Sequence, residues 1–289
     1  MSRDAAASAS PVVELADAEL AFGRRSLWSH LDLRVEPGQF VAVLGPNGSG
    51  KSSLLKVMLG LLPLTRGRAL VDGRPVRRGN RSIGYVPQHR GFSPDVPLRG
   101  ADFVQLGLDG GRWGLPAPWK YRKAVSDVLA QVEGEHLAGQ PVGSMSGGEQ
   151  QRLRIAQALA TDPRVLLCDE PLLSLDMRHQ HRVVELIDRR RREHGTAVLF
   201  VTHEINPVLA ATDVILSLMD GAFRVGTPDE VMRSDVLTEL YSSPVEVIRR
   251  PGQIIVLGAD TAASAHHDHD HDHGGDQGSR AARTVAGQP

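Results

Sequence analysis

The stretch FVAVLGPNGSGKSSLLKVMLGLL, residues 40–62, decides the fold. Phe40 to Leu44 is apolar throughout, the signature of a strand buried on both faces. The run ends in glycine, and KSSLLKVMLGLL then carries apolar residues at helical spacing. Between them GPNGSGKS, residues 45–52, fits the P-loop pattern in the strand–loop–helix context that pattern requires. Its glycines let backbone N–H groups turn inward around phosphate oxygens. Lys51 places a compact charge on the β- and γ-phosphates, and the Ser52 hydroxyl is suited to ligate Mg²⁺. Only Lys51, Lys56, Lys120 and Lys123 are lysines in an arginine-rich chain, so an ammonium is kept where a point charge is needed. Gly45, Pro46, Asn47, Gly48, Ser49, Gly50, Lys51, Ser52 and Ser53 are therefore the candidate nucleotide cradle.

Working outward, residues 12–44 show strand-like alternation, and RALVDG and SIGYVPQ read as short strands. From about residue 91 to 160 the pattern becomes mainly helical, with Pro/Gly breaks at GGRWGLPAPW and GQPVGS. Strands resume with RVLLCDE and AVLFVTH around the helix-compatible MRHQHRVVELIDRRRREHG, whose final glycine suits a helix C-cap. This alternation predicts an α/β fold with a mainly parallel sheet. The expected division is a nucleotide-binding core over residues 12–90 and 161–225, a helical subdomain over 91–160, and a C-terminal appendage over 226–258. The tail over 259–289 lacks any apolar period and is expected to be disordered.

VLLCDEP delivers Asp169 and Glu170 at the end of an apolar strand, where ligands of open α/β sheets collect. Asp169 is placed to hold a magnesium shell, and Glu170 to take a proton from an attacking water. Gln88 after YVP and His203 after LFVT also lie at strand ends. A second phosphate-suited helix start lies in MSGGEQQRLRIAQALA, residues 145–160. A chain that already has a better cradle leaves open whose phosphate this one serves.

Composition sets bounds. With 33 basic and 34 acidic side chains the 289-residue chain has a formal net charge of -1, which gives no global footprint for nucleic acid or anionic lipid. DRRRRE, in its helical context with flanking acids, reads as a solvated face. The single cysteine, Cys168, sits in an apolar run and is expected to pack as a small hydrophobe. The start of the chain lacks the basic and apolar regions of a secretory signal, and no apolar run approaches the roughly 20 residues of a membrane helix. Contact with a membrane is expected to run through a partner.

Taken in order, these motifs resemble the nucleotide-binding subunit of ATP-binding cassette (ABC) transporters over roughly residues 12–225. GPNGSGKSS looks like the Walker A motif, YVPQ the Q-loop, MSGGEQQR the signature, VLLCDEP the Walker B motif, SLD the D-loop and VTHE the switch region. The resemblance implies a P-loop NTPase (RecA-like) core with an antiparallel β subdomain and an inserted helical subdomain. It also implies ATP and Mg²⁺ as cofactors, with Ser52, Gln88 and Asp169 around the metal and Glu170, His203, Gln88 and Lys51 serving catalysis. Phe22 matches the aromatic on which the adenine stacks. Two subunits of the family pair head to tail, so Ser146, Gly147 and Gly148 would serve the partner's nucleotide, and the D-loop Asp176 is a further nucleotide-binding candidate. The signature departs from the family in reading Met-Ser-Gly-Gly-Glu, so Glu149 is given no direct phosphate role.

By the same resemblance the partners are a second copy of the chain, integral membrane permease subunits and an extracytoplasmic metal-binding receptor, with no nucleic acid. The place of work is the cytoplasmic side of the cell membrane, held peripherally by the permease. The segment after the switch region and FSPDVPLRGADFVQLGL look like zinc/manganese-type importers. HHDHDHDH alternates imidazole and carboxylate, so His266, His267, His269, His271 and His273 are candidate ligands for a divalent transition metal. An iron–siderophore, cobalamin or other solute importer, and a soluble iron–sulfur assembly ATPase, are the alternative expectations.

Overall fold

The structure, a computed structural model, describes residues 10–88, 91–93, 95–109, 118–219 and 221–258. The tail histidines and the GGRWGLPA part of the break, residues 110–117, lie outside these residues. In chain order the elements are β1 (Val13–Phe22), β2 (Arg25–Val35), β3 (Phe40–Leu44), α1 (Lys51–Met58), β4 (Arg66–Val71), β5 (Arg74–Pro75) and β6 (Ile83–Val86). There follow α2 (Gly100–Asp109), α3 (Pro118–Gln131), α4 (Gly147–Leu159), β7 (Val165–Asp169), α5 (Met177–His194) and β8 (Ala197–Val201). The chain then runs through β9 (Val214–Met219), β10 (Ala222–Gly226), α6 (Pro228–Val231), α7 (Ser234–Tyr241), β11 (Val245–Arg250) and β12 (Gln253–Gly258).

Three sheets form. The central one has the order β10-β9-β3-β8-β7-β6, parallel from β9 to β6 with β10 antiparallel at its edge. A four-stranded antiparallel sheet, β2-β1-β4-β5, lies apart from it, and β11-β12 is a hairpin. Strands β3, β7 and β8 are buried along their whole length, and their side chains sort by alternation. Phe40, Ala42, Leu166, Cys168, Val198 and Phe200 join a core shared with the helices α2 to α5. Val41, Val43, Val165, Leu167, Leu199 and Val201 join a second core with α1 and the antiparallel sheet. Within that core Leu54, Leu55 and Met58 of α1 are buried to 1% exposure or less, each contributing about 1.5–3 kcal/mol by removal from water. The helix that starts at the P-loop is thus fixed between two sheets.

Register then decides what meets at the sheet's edge. Val43 pairs with Val201, Asp169 with Val201, and Val86 with Cys168. These pairings align the C-terminal ends of β3, β6, β7 and β8, so Gly45, Gln88, Glu170 and His203 all leave the sheet at one edge.

The C-terminal segment packs on the core that contains the helices through Val231, Met232, Leu237, Leu240, Val245 and Ile254. Asn206 also exchanges two hydrogen bonds with the backbone of Ile254, at 2.8 and 3.0 Å. One sequence expectation is corrected: the arginine run is not a uniformly solvated face. Arg190 is 5% exposed because it continues the Val183, Leu186, Ile187 stripe of α5 by one more turn. Its guanidinium donates to Thr196 Oγ1 at 3.1 Å, Gln131 Oε1 at 3.3 Å and Asp162 Oδ1 at 2.5 Å, joining α5 to the end of α3 and the loop after α4. Arg191 donates to Asp188, the Gly38 carbonyl and Asp213. Arg190→Met is expected to lower the unfolding free energy by about 1–3 kcal/mol, read from the midpoint of a urea titration. An unchanged midpoint would show that these bonds are replaced by water without loss.

Candidate functional site

The loop after β3 is built for close approach. Gly45 leaves the strand at φ +145°, and a Cβ there would run into the Leu218 carbonyl. Gly50 caps α1 at φ +100°, where a Cβ would lie 3.0–3.2 Å from the Trp28 indole and Leu27. Trp28 itself is fully buried, and among the described residues its Nε1–H has no hydrogen-bond partner. Lys51 curls back over the loop and donates to the carbonyls of Gly45 at 2.6 Å and Pro46 at 2.8 Å. Burial lowers its pKa below the usual lysine value, against the opposing pull of Glu170 and Asp169. Ser49 Oγ is buried and has no hydrogen-bond partner among the described residues. A buried free hydroxyl, an ammonium and glycines whose Cβ would fill the loop together fit a phosphate chain.

The carboxylates stand beside it. Ser52 Oγ donates to Asp169 Oδ1 at 3.1 Å, and Tyr85 OH to Asp169 Oδ2 at 3.4 Å. Burial raises the Asp169 pKa and Glu170 adds to it, while the Ser52 and Tyr85 hydroxyls oppose them. Burial and Asp169 push Tyr85 up to about 12. A hydroxyl and a carboxylate are hard oxygen donors of the kind Mg²⁺ takes. Cys168, beside them in sequence, is fully buried; burial raises its thiol pKa, so it packs rather than reacts.

Glu170 is held at φ +48°, an uncommon conformation for a residue with a side chain. Its N–H donates to the Val201 carbonyl at 3.0 Å, and its carboxylate meets two of the other residues at this edge. Gln88 Nε2 donates to Oε2 at 3.2 Å, and His203 Nε2 lies 2.5 Å from Oε1. With its side chain 14% exposed, Glu170 opens onto a cavity of about 240 Å³ that Ser174, Thr202, His203 and Pro207 also line.

Phe22 ends β1, 52% exposed, and pairs across the hairpin with Arg25. Arg25 donates to the Gly48 carbonyl at 3.2 Å, which ties that hairpin to the P-loop. The signature residues stand apart: among the described residues no hydrogen bond or ion pair joins Ser146, Gly147, Gly148 or Asp176 to residues 45–53. Ser146 is the N-cap of α4 in a capping box with Glu149. Glu149 Oε2 accepts from Ser146 N at 2.9 Å and from Ser146 Oγ at 2.7 Å, bonds that hold its carboxyl below the ordinary range. Its carboxylate is therefore turned onto its own helix start. The Ser-x-x-Glu spacing was the available signal for this. Residues that the sequence did not single out are Tyr85, Arg25, Trp28 and His179. Only the strand pairings and helix contacts bring them to the site.

A family profile described as ABC transporter matches residues 28–173. The chain is 35% identical over 220 residues to the zinc import ATP-binding protein ZnuC of Yersinia pestis, covering 76% of this chain and 81% of that one. Its Yersinia pseudotuberculosis counterpart is 34% identical over the same share. Among solved structures, an ABC transporter described as of metal-chelate type, in an inward-facing conformation, superposes with a TM-score of 0.72. It is 27% identical and covers 86% of this chain and 97% of its own. An ATP-binding cassette solved as a dimer in a post-hydrolysis state with ADP and Pi gives a TM-score of 0.62, with 29% identity over 74% of this chain and 98% of its own.

Proposed function

The chain belongs to the ABC transporter ATPase family, and from that membership we propose that it is the ATP-hydrolysing subunit of a zinc importer. The observation that carries the chemistry is the convergence of the P-loop, Asp169, Glu170, Gln88 and His203 at one edge of the parallel sheet. The cargo reading rests on 35% identity to a zinc import ATP-binding protein.

In this reading the residues Gly45, Pro46, Asn47, Gly48, Ser49, Gly50, Lys51, Ser52 and Ser53 hold the triphosphate, and Phe22 stacks on the adenine. Ser52, Asp169 and Gln88 would hold Mg²⁺, which when bound neutralises charge on the β- and γ-phosphate oxygens. Glu170 takes the proton of the attacking water, and His203 and Gln88 hold its carboxylate in place. Ser146, Gly147 and Gly148 complete the pocket of a second copy, with Asp176 at the same seam. That arrangement explains why the chain needs two phosphate-suited helix starts and why they do not meet within one copy. The dimeric relative with ADP and Pi supports it. Movement passes on through Phe92, just beyond Gln88. Its N–H donates to Gln150 of α4 at 3.3 Å, and its ring lies 4.4 Å from the Arg154 guanidinium.

Among the described residues no helix is long and apolar enough to cross a membrane. From the family's organisation we place the chain at the cytoplasmic face, bound to permease subunits that an extracytoplasmic receptor supplies. Deleting the gene in its own host tests the cargo: growth should fail under zinc chelation and return with added zinc, and the Glu170→Gln variant should not restore it. Rescue by another metal, or no metal phenotype, would overturn the zinc reading. The structural likeness to a metal-chelate-type transporter favours one alternative, a chelated metal as cargo, and uptake of free against chelated metal separates the two.

The histidine-rich tail lies outside the described residues and is proposed as a weak divalent-metal ligand set, consistent with that cargo. Removal of residues 264–289 is expected to abolish a zinc-binding phase in calorimetry. Identical titrations before and after removal would take the tail out of the proposal.

A further inference from the structure

We propose that His179 is a positioning residue for the shared ATP site: clamped by Asp176, its imidazole is the spacer that sets the first turn of the signature helix against the D-loop. The inference rests on the shared-site reading above.

Asp176 is the N-cap of α5, and one carboxylate holds His179 twice. Oδ1 accepts the His179 N–H at 2.9 Å, and Oδ2 meets ring Nδ1 at 2.8 Å. Those two contacts fix both the start of the helix and the plane of the ring. The other side of the ring covers Gly148. A Cβ built there would meet three ring atoms, with Nε2 at 3.0 Å, Cγ at 3.1 Å and Cδ2 closer still. Gly148 has ordinary helical geometry, so its backbone would accept alanine; the ring, and not φ, is what requires glycine. The imidazole therefore fills the volume a side chain would have taken and buries Gly148 in the first turn of α4. Its side chain is 40% exposed, so it is a bridge at the surface rather than a core residue. The distance between Asp176 and Gly148 is thus set by the width of one ring. Both are residues that the partner's nucleotide would meet.

The test uses His179→Ala and His179→Phe in the full chain. Shortening the spacer leaves the P-loop untouched, so binding of a fluorescent ATP analogue by the single copy should be unchanged. The kcat at saturating ATP should fall by about 10–100-fold, the scale of a misplacement near 1 Å, and ATP-driven dimerisation in the Glu170→Gln background should weaken. Phenylalanine restores the width without the Asp176 bond and should recover most of kcat. Wild-type kcat and dimerisation in His179→Ala would overturn the inference. So would equal losses in the two variants accompanied by a lowered melting temperature, because that pattern belongs to a general structural role. If the Glu170→Gln parent itself stays single with ATP, the shared-site reading fails instead, and the two failures are told apart.

Discussion

Glu170→Gln is expected to slow ATP turnover by about 10²–10⁴-fold, the usual worth of a general base, while leaving nucleotide binding intact. The amide keeps the size and reach of the carboxylate. Its oxygen can still accept from Gln88 Nε2, and its nitrogen can donate to a neutral His203 ring, so the surrounding geometry survives. What is lost is the capacity to take a proton. Steady-state phosphate release measures the first effect. Light scattering after size exclusion in ATP measures the second, and the variant should accumulate as a dimer because bound ATP is no longer cleaved. Near-normal turnover would remove Glu170 from the role.

Ser146→Arg separates the two halves of the pocket. Losing the N-cap costs about 1 kcal/mol, and Glu149 loses its partner hydroxyl, which frays one turn of α4 without unfolding the chain. In the shared-site reading the larger consequence falls on the other copy, whose phosphate loses a preorganised donor and meets a bulky side chain. Turnover should drop by about 10²–10³-fold or more. Binding of ATP to the single copy should persist, because no bond among the described residues links Ser146 to the P-loop. A variant that hydrolyses normally would argue that each copy works alone.

The parts legible in the sequence were those whose chemistry is contiguous. The P-loop, the apolar strand ending in Asp169 and Glu170, and the apolar runs of the central sheet are short stretches in which residue type and local backbone are coupled. The P-loop glycines at positive φ and the fully buried β3, β7 and β8 follow from that coupling. Tyr85 and His179 escaped because their relevance is a matter of register between distant segments. Tyr85 reaches Asp169 only because β6 lies parallel to β7, and His179 reaches Gly148 only because α5 packs against α4. Arg190 was legible in principle. It lies seven residues beyond Val183 on the buried stripe of α5, but four consecutive arginines hide that phase behind their shared charge. Glu149 was legible too, through its spacing from Ser146, and the capping box explains why a carboxylate is tolerated at a helix start suited to anions.

The left-handed turn at Glu170 also channels how such a site can change over a lineage. At φ +48° a β-branched residue would be strained, whereas asparagine, aspartate and glycine tolerate this region best. The replacements that backbone sterics permit most readily are therefore ones that shorten or erase the side chain proposed as general base while sparing the strand that carries it. Silent cassettes, intact in shape but unable to fire, lie within one inexpensive substitution of the working subunit.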